Sequence, residues 1–342
     1  MNANAGKSGA GSPSFGVRIA GAGSCVPEKR LTNHDLEKMV DTSDEWIVQR
    51  TGVRERRICD PEKGESNRVL CTRAIEAALR DARMDATELD LLIVATCTGE
   101  STVPSVACRV SDNIGAVNAG AFDLVAACSG FVYALNVAHD LIRAGSHRAV
   151  GVVGCDVMSS ILDYSDRALC ILFGDAAGAA VLRISDNPEQ GILSRFLHAD
   201  GAGWHDLYLP RRPVDFPDGA DQEKLKLNCL QMNGRQIYKF AVARFGDLIQ
   251  ETLDKAGLTA DQVDHYVCHQ SNARILESAR ERFGIPSEKL YVNIDKFGNS
   301  SAGSAPLCFA QLREMGRVKD GQVVMFVAFG AGLTWASSLW QL

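Results

Sequence analysis

The chain has 342 residues, enough for two ordinary domains or one large duplicated one. Hydrophobic residues at 46% and charged residues at 23% describe a globular protein with a substantial core. A net charge of −6 argues against general nucleic-acid binding, and no apolar run is long enough to span a bilayer.

Met1 to Ser14 is rich in Gly, Ser, Ala and Asn and carries no signal-peptide core, so residues 1–15 are expected to form a disordered tail. Val17 to Ala20 reads as a strand entering Gly21-Ala22-Gly23-Ser24. A dinucleotide fingerprint is rejected there, because Val26 stands at the third glycine position and Pro27 follows. Thr32 to Val40 and Ser43 to Arg50 read as short helices, and Arg54 to Arg68 as a charged surface loop. Val69 to Arg83 is a predicted helix, and Leu89 to Cys97 a strand covered on both faces. Ala121 to Val125 is an apolar run predicting a buried strand, and Phe131 to Leu141 has a helical pattern.

Between that strand and that helix lies Ala126-Ala127-Cys128-Ser129-Gly130. A cysteine at such a turn sits by a helix N-terminus, whose free N–H groups favour thiolate over thiol. Small neighbours leave the backbone open to a substrate, which suits an activated nucleophile. The other reading is a small buried hydrophobe. The 11 cysteines are scattered through apolar stretches with no CxxC pair, so most read as reduced packing thiols of a cytoplasmic protein, and no metal is expected.

The chain also repeats itself. Leu79 to Asp90 matches Leu253 to Asp264 in pattern, and Ala149 to Gly154 recurs as Val323 to Ala328 at the same spacing. Phe173-Gly174-Asp175 is echoed by Phe329-Gly330-Ala331 at a shorter spacing, and the Asp123 and Asp295 turns correspond roughly. The expected fold is α/β: two duplicated halves, 16–186 and 187–342, whose equivalent loops converge near a pseudo-twofold axis. Cys128 would then meet Cys268-His269-Gln270-Ser271-Asn272 and the turn Phe297 to Gly303. His269 suits a proton acceptor or hydrogen-bond donor, although it also reads as a satisfied core histidine. Asn299 suits an amide donor or simply a local turn residue. Phe329 to Gly332 can present a backbone N–H to an oxyanion.

Six stretches taken together carry a resemblance: Asp41 to Gly52, Ala127-Cys128-Ser129-Gly130-Phe131, Phe173-Gly174-Asp175, His269 to Asn272, Gly298 to Ala302, and Phe329 to Gly332. Over roughly residues 16 to 342 the chain resembles the thiolase-fold condensing enzymes, in particular the β-ketoacyl-[acyl carrier protein] synthase III branch. The resemblance implies a thiolase-like fold with a layered α-β-α-β-α core, a homodimer, and no metal or redox cofactor. It implies an acyltransferase that initiates fatty-acid synthesis. An acyl-CoA loads Cys128, and malonyl-acyl carrier protein then condenses on it with loss of carbon dioxide. Asn299 as third member of the triad fits the initiating branch and the chalcone-synthase-like branch, against the Cys-His-His of the elongating synthases and the second Cys of thiolases; the chain's size and the Trp46 motif favour the initiating branch.

By the same resemblance, backbone N–H groups of Cys128 and Ala331 form an oxyanion hole. Trp46 and Arg167 sandwich the CoA adenine, Arg50 contacts a CoA phosphate, and Asn272 lies near the pantetheine arm. Lys239 and Arg274 meet the acidic carrier protein. There are three departures: Ala331 replaces a usual glycine, Ser271 a common alanine, and Val103 an aromatic that caps the acyl pocket across the dimer interface. Val103 therefore leaves primer size open. An alternative within the fold is an acyltransferase of specialised metabolism, of polyketide or quinolone type, with another acceptor.

Overall fold

A computed structural model describes residues 15–221 and 226–342. The expected tail lies outside them except for Phe15, which packs against the core beneath the Arg143 guanidinium.

The first half contains β1 (Gly16–Cys25), α1 (Asp44–Thr51), α2 (Asn67–Ala82), β2 (Leu91–Ala95), α3 (Val106–Asn113) and β3 (Gly120–Leu124). It continues with α4 (Gly130–Arg143), β4 (Ala149–Val157) and β5 (Asp175–Ser185). The second half contains β6 (Gly191–Ala199), α5 (Gly234–Ala256), β7 (His265–Cys268), α6 (Ala273–Arg282), α7 (Ser304–Glu314), β8 (Val323–Gly330) and β9 (Thr334–Gln341). Local chemistry sets many of these bounds. Ser43, Ser66, Asn233 and Asn272 cap the starts of α1, α2, α5 and α6, accepting from free backbone N–H groups. Gly52 and Gly257, at positive φ, close α1 and α5.

The first sheet has the order β1-β5-β4-β2-β3 and the second β7-β8-β9-β6. In each, a parallel pair (β2 with β4, β7 with β8) adjoins two antiparallel pairings. The counterpart of β3 in the second half is reduced to a single parallel bridge between Tyr266 and Leu290. The repeat seen in the sequence is a structural one. Asp90 and Asp264 each end the approach to a strand, donating the backbone N–H to Ala149 O or Val323 O and accepting the N–H of that same residue on the side-chain carboxylate.

Side-chain alternation builds the layers. On β4, Val150 and Val152 face inward while Ala149, Val153 and Cys155 face α2 and α3. On β8, Val324, Phe326 and Ala328 face inward while Met325, Val327 and Phe329 face α5 and α6. Helices α4 and α7 fill the space between the sheets through Phe131, Leu135, Phe309 and Leu312, giving the α-β-α-β-α stack. Each such fully buried side chain contributes about 1.5–3 kcal/mol.

Three expectations need correction. The charged stretch Arg54 to Arg68 is not all surface: Arg56 is fully buried, donating to Leu31 O at 3.1 Å and Asn33 Oδ1 at 2.9 Å. Buried oxygen acceptors take the two terminal nitrogens while Nε has no partner, an arrangement that a reading by charge alone misses. The apolar run at β3 is not covered: among the described residues no strand lies beyond it, and Phe122 is 39% and Val125 75% exposed. The Phe173–Phe329 echo is not an equivalence either. Phe329 ends β8 at the position that Cys155 holds on β4, whereas Phe173 precedes β5.

Small residues let the halves meet. A Cβ built on Gly154 would lie 2.3 Å from Ala302 O and 2.9 Å from Phe131 Cβ. Gly154→Ala is therefore expected to destabilise the protein by about 3 kcal/mol, read as a lower urea midpoint. Gly120→Ala, whose Cβ would meet Leu91 Cδ1 at 3.5 Å and Asp90 O at 3.9 Å, both ordinary contacts, is expected to leave the midpoint unchanged. Equal midpoints for the two variants would contradict this packing.

Candidate active site

Two equivalent turns form the floor of the site. Ala127 precedes Cys128 at φ 45°, and Ser301 occupies the matching position of the second half at φ 49°. Each turn runs into a central helix, α4 or α7. Ser301 Oγ donates to Cys128 Sγ at 3.2 Å. Behind the pair lies the buried carboxylate of Asp156, which accepts from Cys97 N at 2.9 Å, from the Thr96 and Thr98 hydroxyls, and from Ala302 N at 3.2 Å.

His269 follows β7 with its backbone N–H on Val327 O at 2.8 Å. Its Nδ1 lies 2.6 Å from Ser304 Oγ, and its ring stands edge-on to Phe329. That leaves Nε2 for the cavity. Asn299 is pinned by its backbone, N–H to Leu172 O and C=O from Gly174 N. Its Oδ1 accepts from Ser301 N at 2.9 Å, which leaves the NH₂ as the available group. Cys128, His269 and Asn299 line one cavity of about 640 Å³, the open solvent at its mouth included. Its walls are mainly apolar, with Leu172, Leu207, Met232, Ile237, Phe240 and Ile275, and Asn272 stands in the same lining.

Burial dominates the electrostatics. It pushes the Cys128 thiol up to about 12, against the lowering effect of the Ser301 hydrogen bond, with the Asp156 charge adding to the rise. The expectation of a resting thiolate is thus corrected: desolvation by the closed floor outweighs the helix end. Burial also lowers His269 to about 3, so the ring is neutral.

This has a consequence for pH. His139, between α4 and the second sheet, is likewise lowered by burial to about 4. Both native pKa values lie below the unfolded 6.5, so their contribution is complete above pH 6.5 and is lost on acidification, as the unfolded chain takes up protons that the native one refuses. Between pH 6 and about 4 each histidine is expected to cost up to about 1.4 kcal/mol per pH unit. His269→Gln should flatten the fall of the urea midpoint over that range, and an unchanged slope would contradict a buried neutral ring.

The other anticipated residues are distributed as follows. Trp46 is half-buried, with the guanidinium carbons of Arg50 and Arg167 at 5.5 and 5.4 Å from its ring centre. Arg167 also donates to Asp41 O at 2.8 Å. Asn272 Nδ2 donates to Arg50 O at 3.0 Å, linking this cluster to the cavity wall. Lys239 is exposed on α5, and Arg274 on α6 stacks over Tyr238. Ser271 is buried beside His269 in the lining. Ala331 is half-buried after β8, and it is its neighbour Gly330 that lines the cavity. A Cβ on Gly330 would stand 2.6 Å from Cys128 N, so a glycine is needed where this turn meets Cys128. Val103 does not line this chain's cavity. It is 84% exposed, in the company of Val117 and Val125.

Asp156 and Ser304 carry no signal in the sequence, and Ser301 and Gly330 stand there only inside longer motifs, without roles of their own. The constant spacing of the repeat pairs Ala127 with Ser301 and so pointed to that serine. Among the described residues no cluster of three or more His, Cys, Asp or Glu is arranged to hold a metal ion, and no helix is long and apolar enough to cross a membrane.

Comparison with known proteins agrees with this geometry. Residues 122–201 match the family described as 3-oxoacyl-[acyl-carrier-protein] synthase III, and residues 253–342 its C-terminal family. The β-ketoacyl-[acyl-carrier-protein] synthase III of Caldanaerobacter subterraneus is 45% identical over 94% of this chain and 96% of its own length. The chain belongs to the β-ketoacyl-[acyl-carrier-protein] synthase III family. Among solved structures, the synthase III of Aquifex aeolicus superposes with a TM-score of 0.88 at 39% identity, covering 96% of this chain and all of that one. The priming β-ketosynthase of the R1128 polyketide pathway gives 0.87 at 35% identity, covering 96% of each chain. The fold of this synthase III family member is thiolase-like, and the protein is an acyltransferase.

Proposed function

We propose that the chain carries out the initiating condensation of fatty-acid synthesis, with acyl-CoA and malonyl-acyl carrier protein as substrates. The observation that carries this is the meeting of Cys128, His269 and Asn299 in one apolar cavity. In the first step Cys128 Sγ bonds to the thioester carbonyl carbon, the carbon–sulfur bond to CoA breaks, and the thiol proton ends on the CoA sulfur. The backbone N–H groups of Cys128 and Ala331 hold the oxyanion. In the second step the carboxylate of the malonyl thioester leaves as carbon dioxide. Its electron pair becomes an enolate, held by His269 Nε2–H and the Asn299 NH₂. The enolate carbon attacks the acyl carbon and Cys128 is expelled, regaining a proton from water. Two half-reactions on one nucleophile give ping-pong kinetics.

Donation from Nε2 makes Nδ1 the acceptor of the Ser304 hydroxyl proton at 2.6 Å, in competition with Ser301 O, which lies 2.9 Å from the same oxygen. Trp46 with Arg50 and Arg167 provides an aromatic face and two guanidinium groups for the adenine and phosphates of CoA. Lys239 and Arg274, exposed on neighbouring helices, suit an acidic carrier protein. The open edge at β3, with Val103, Val117 and Val125 exposed, supports a homodimer in which Val103 reaches the partner's acyl pocket. All eleven cysteines are unpaired, in keeping with a reducing cytoplasm.

The test is mass spectrometry of Cys128 after exposure to acyl-CoAs of graded length, followed by malonyl-acyl carrier protein. An adduct on Cys128 that malonyl-acyl carrier protein discharges as a β-ketoacyl product is expected. The absence of any adduct overturns the proposal. The R1128 likeness favours one second reading, priming of a polyketide. An adduct discharged only by a polyketide carrier would establish it.

A further inference from the structure

Resting on the reading above, in which Cys128 N–H and Ala331 N–H hold the thioester oxygen, we propose that Ser129 and Thr334 are positioning residues that set the spacing of those two donors. The donors belong to turns of different halves, one entering α4 and one between β8 and β9. The second turn has little stiffness of its own. Ala331 stands between Gly330 and Gly332, and Gly332 has φ 139°.

A pair of hydroxyls bridges the two turns. Ser129 Oγ lies 2.8 Å from Thr334 Oγ1 and 2.7 Å from Ala126 O. Thr334 Oγ1 lies 3.0 Å from Ala331 O and 3.1 Å from Ala126 O. Two protons cannot fill four contacts. Ala126 O already accepts from Ser129 backbone N–H at 3.2 Å. Only one arrangement both bonds the hydroxyls to each other and serves the Ala331 carbonyl: Ser129 O–H to Thr334 Oγ1, and Thr334 O–H to Ala331 O. The chain of bonds then runs from the residue after Cys128 to the residue carrying the other donor. Ser129 is fully buried, so water does not compete for its proton. Thr334 touches no reacting atom here and acts through Ala331.

Thr334→Val keeps the shape and removes the hydroxyl. It is expected to slow both Cys128 acylation and condensation by about tenfold, a fraction of the effect of losing a donor outright. The KM for acyl-CoA should stay within about twofold, because the cavity walls are untouched. Thr334→Ser should restore both rates. Ser129→Ala should cost about threefold, since Thr334 still serves Ala331 O, and the double variant should be no slower than Thr334→Val alone. Thr334→Val at the unaltered rates, or Thr334→Ser as slow as Thr334→Val, overturns the assignment. So does a change confined to KM. Should Thr334→Val fail to fold, the Ser129→Ala and Thr334→Ser rates decide in the same way. Absence of acylation in the unaltered chain sinks the parent reading and this one together, whereas normal rates in Thr334→Val sink this one alone.

Discussion

Cys128→Ala is expected to abolish acyl transfer from acyl-CoA, with condensation falling by at least about 10³-fold, the scale on which a covalent nucleophile is missed. No other thiol is placed to substitute. Cys97, the cysteine nearest in role, is tied to Asp156 through its backbone N–H and its thiol, and burial holds that thiol protonated. Decarboxylation of malonyl-acyl carrier protein is expected to persist in the variant, because His269 and Asn299 hang on other elements, β7 and the turn before α7. The measurement is carbon dioxide release beside acyl-adduct mass. Retained condensation in Cys128→Ala, or an adduct on another cysteine, would remove Cys128 from the mechanism.

His269→Ala is expected to divide the reaction the other way. The ring is neutral with Ser304 against its Nδ1 side, so in the proposed mechanism the single donor offered to the cavity is Nε2–H. Its loss should cost about 10²–10³-fold in decarboxylation and condensation, the usual price of an oxyanion donor. Acylation of Cys128, which relies on backbone donors, should fall much less. Because burial lowers the ring to about 3, condensation in the unaltered chain should show no acid limb near pH 6.5. Acylation and condensation falling equally in His269→Ala would contradict this division of labour.

Much of the architecture was legible because the duplication left matching strand entries. The aspartates at 90 and 264 and the strands at 149 and 323 recur at one spacing, and each pair does the same backbone work. The meeting of Cys128, His269 and Asn299 was legible for the same reason. Charge and protonation were not. Arg56 is buried by carbonyl acceptors contributed from distant segments, which no local window displays. The Cys128 thiol depends on how far the fold desolvates it and on the Ser301 and Asp156 groups brought beside it from other segments. Ser301 and Ser304 read as ordinary turn residues until the fold brings their hydroxyls to sulfur and imidazole. The apolar run at β3 was legible as a strand, but its missing neighbour was not.

The sealed floor beneath Cys128 also bears on how long the enzyme survives. Peroxides and soft alkylating agents attack thiolate, and a thiol held near 12 offers almost none at neutral pH. On the proposed mechanism, the idle protein thus keeps its nucleophilic sulfur in a chemically dormant form. Its wakefulness is tied to the arrival of a thioester at the mouth, so the same desolvation that slows an unprovoked cysteine guards the catalyst between turnovers.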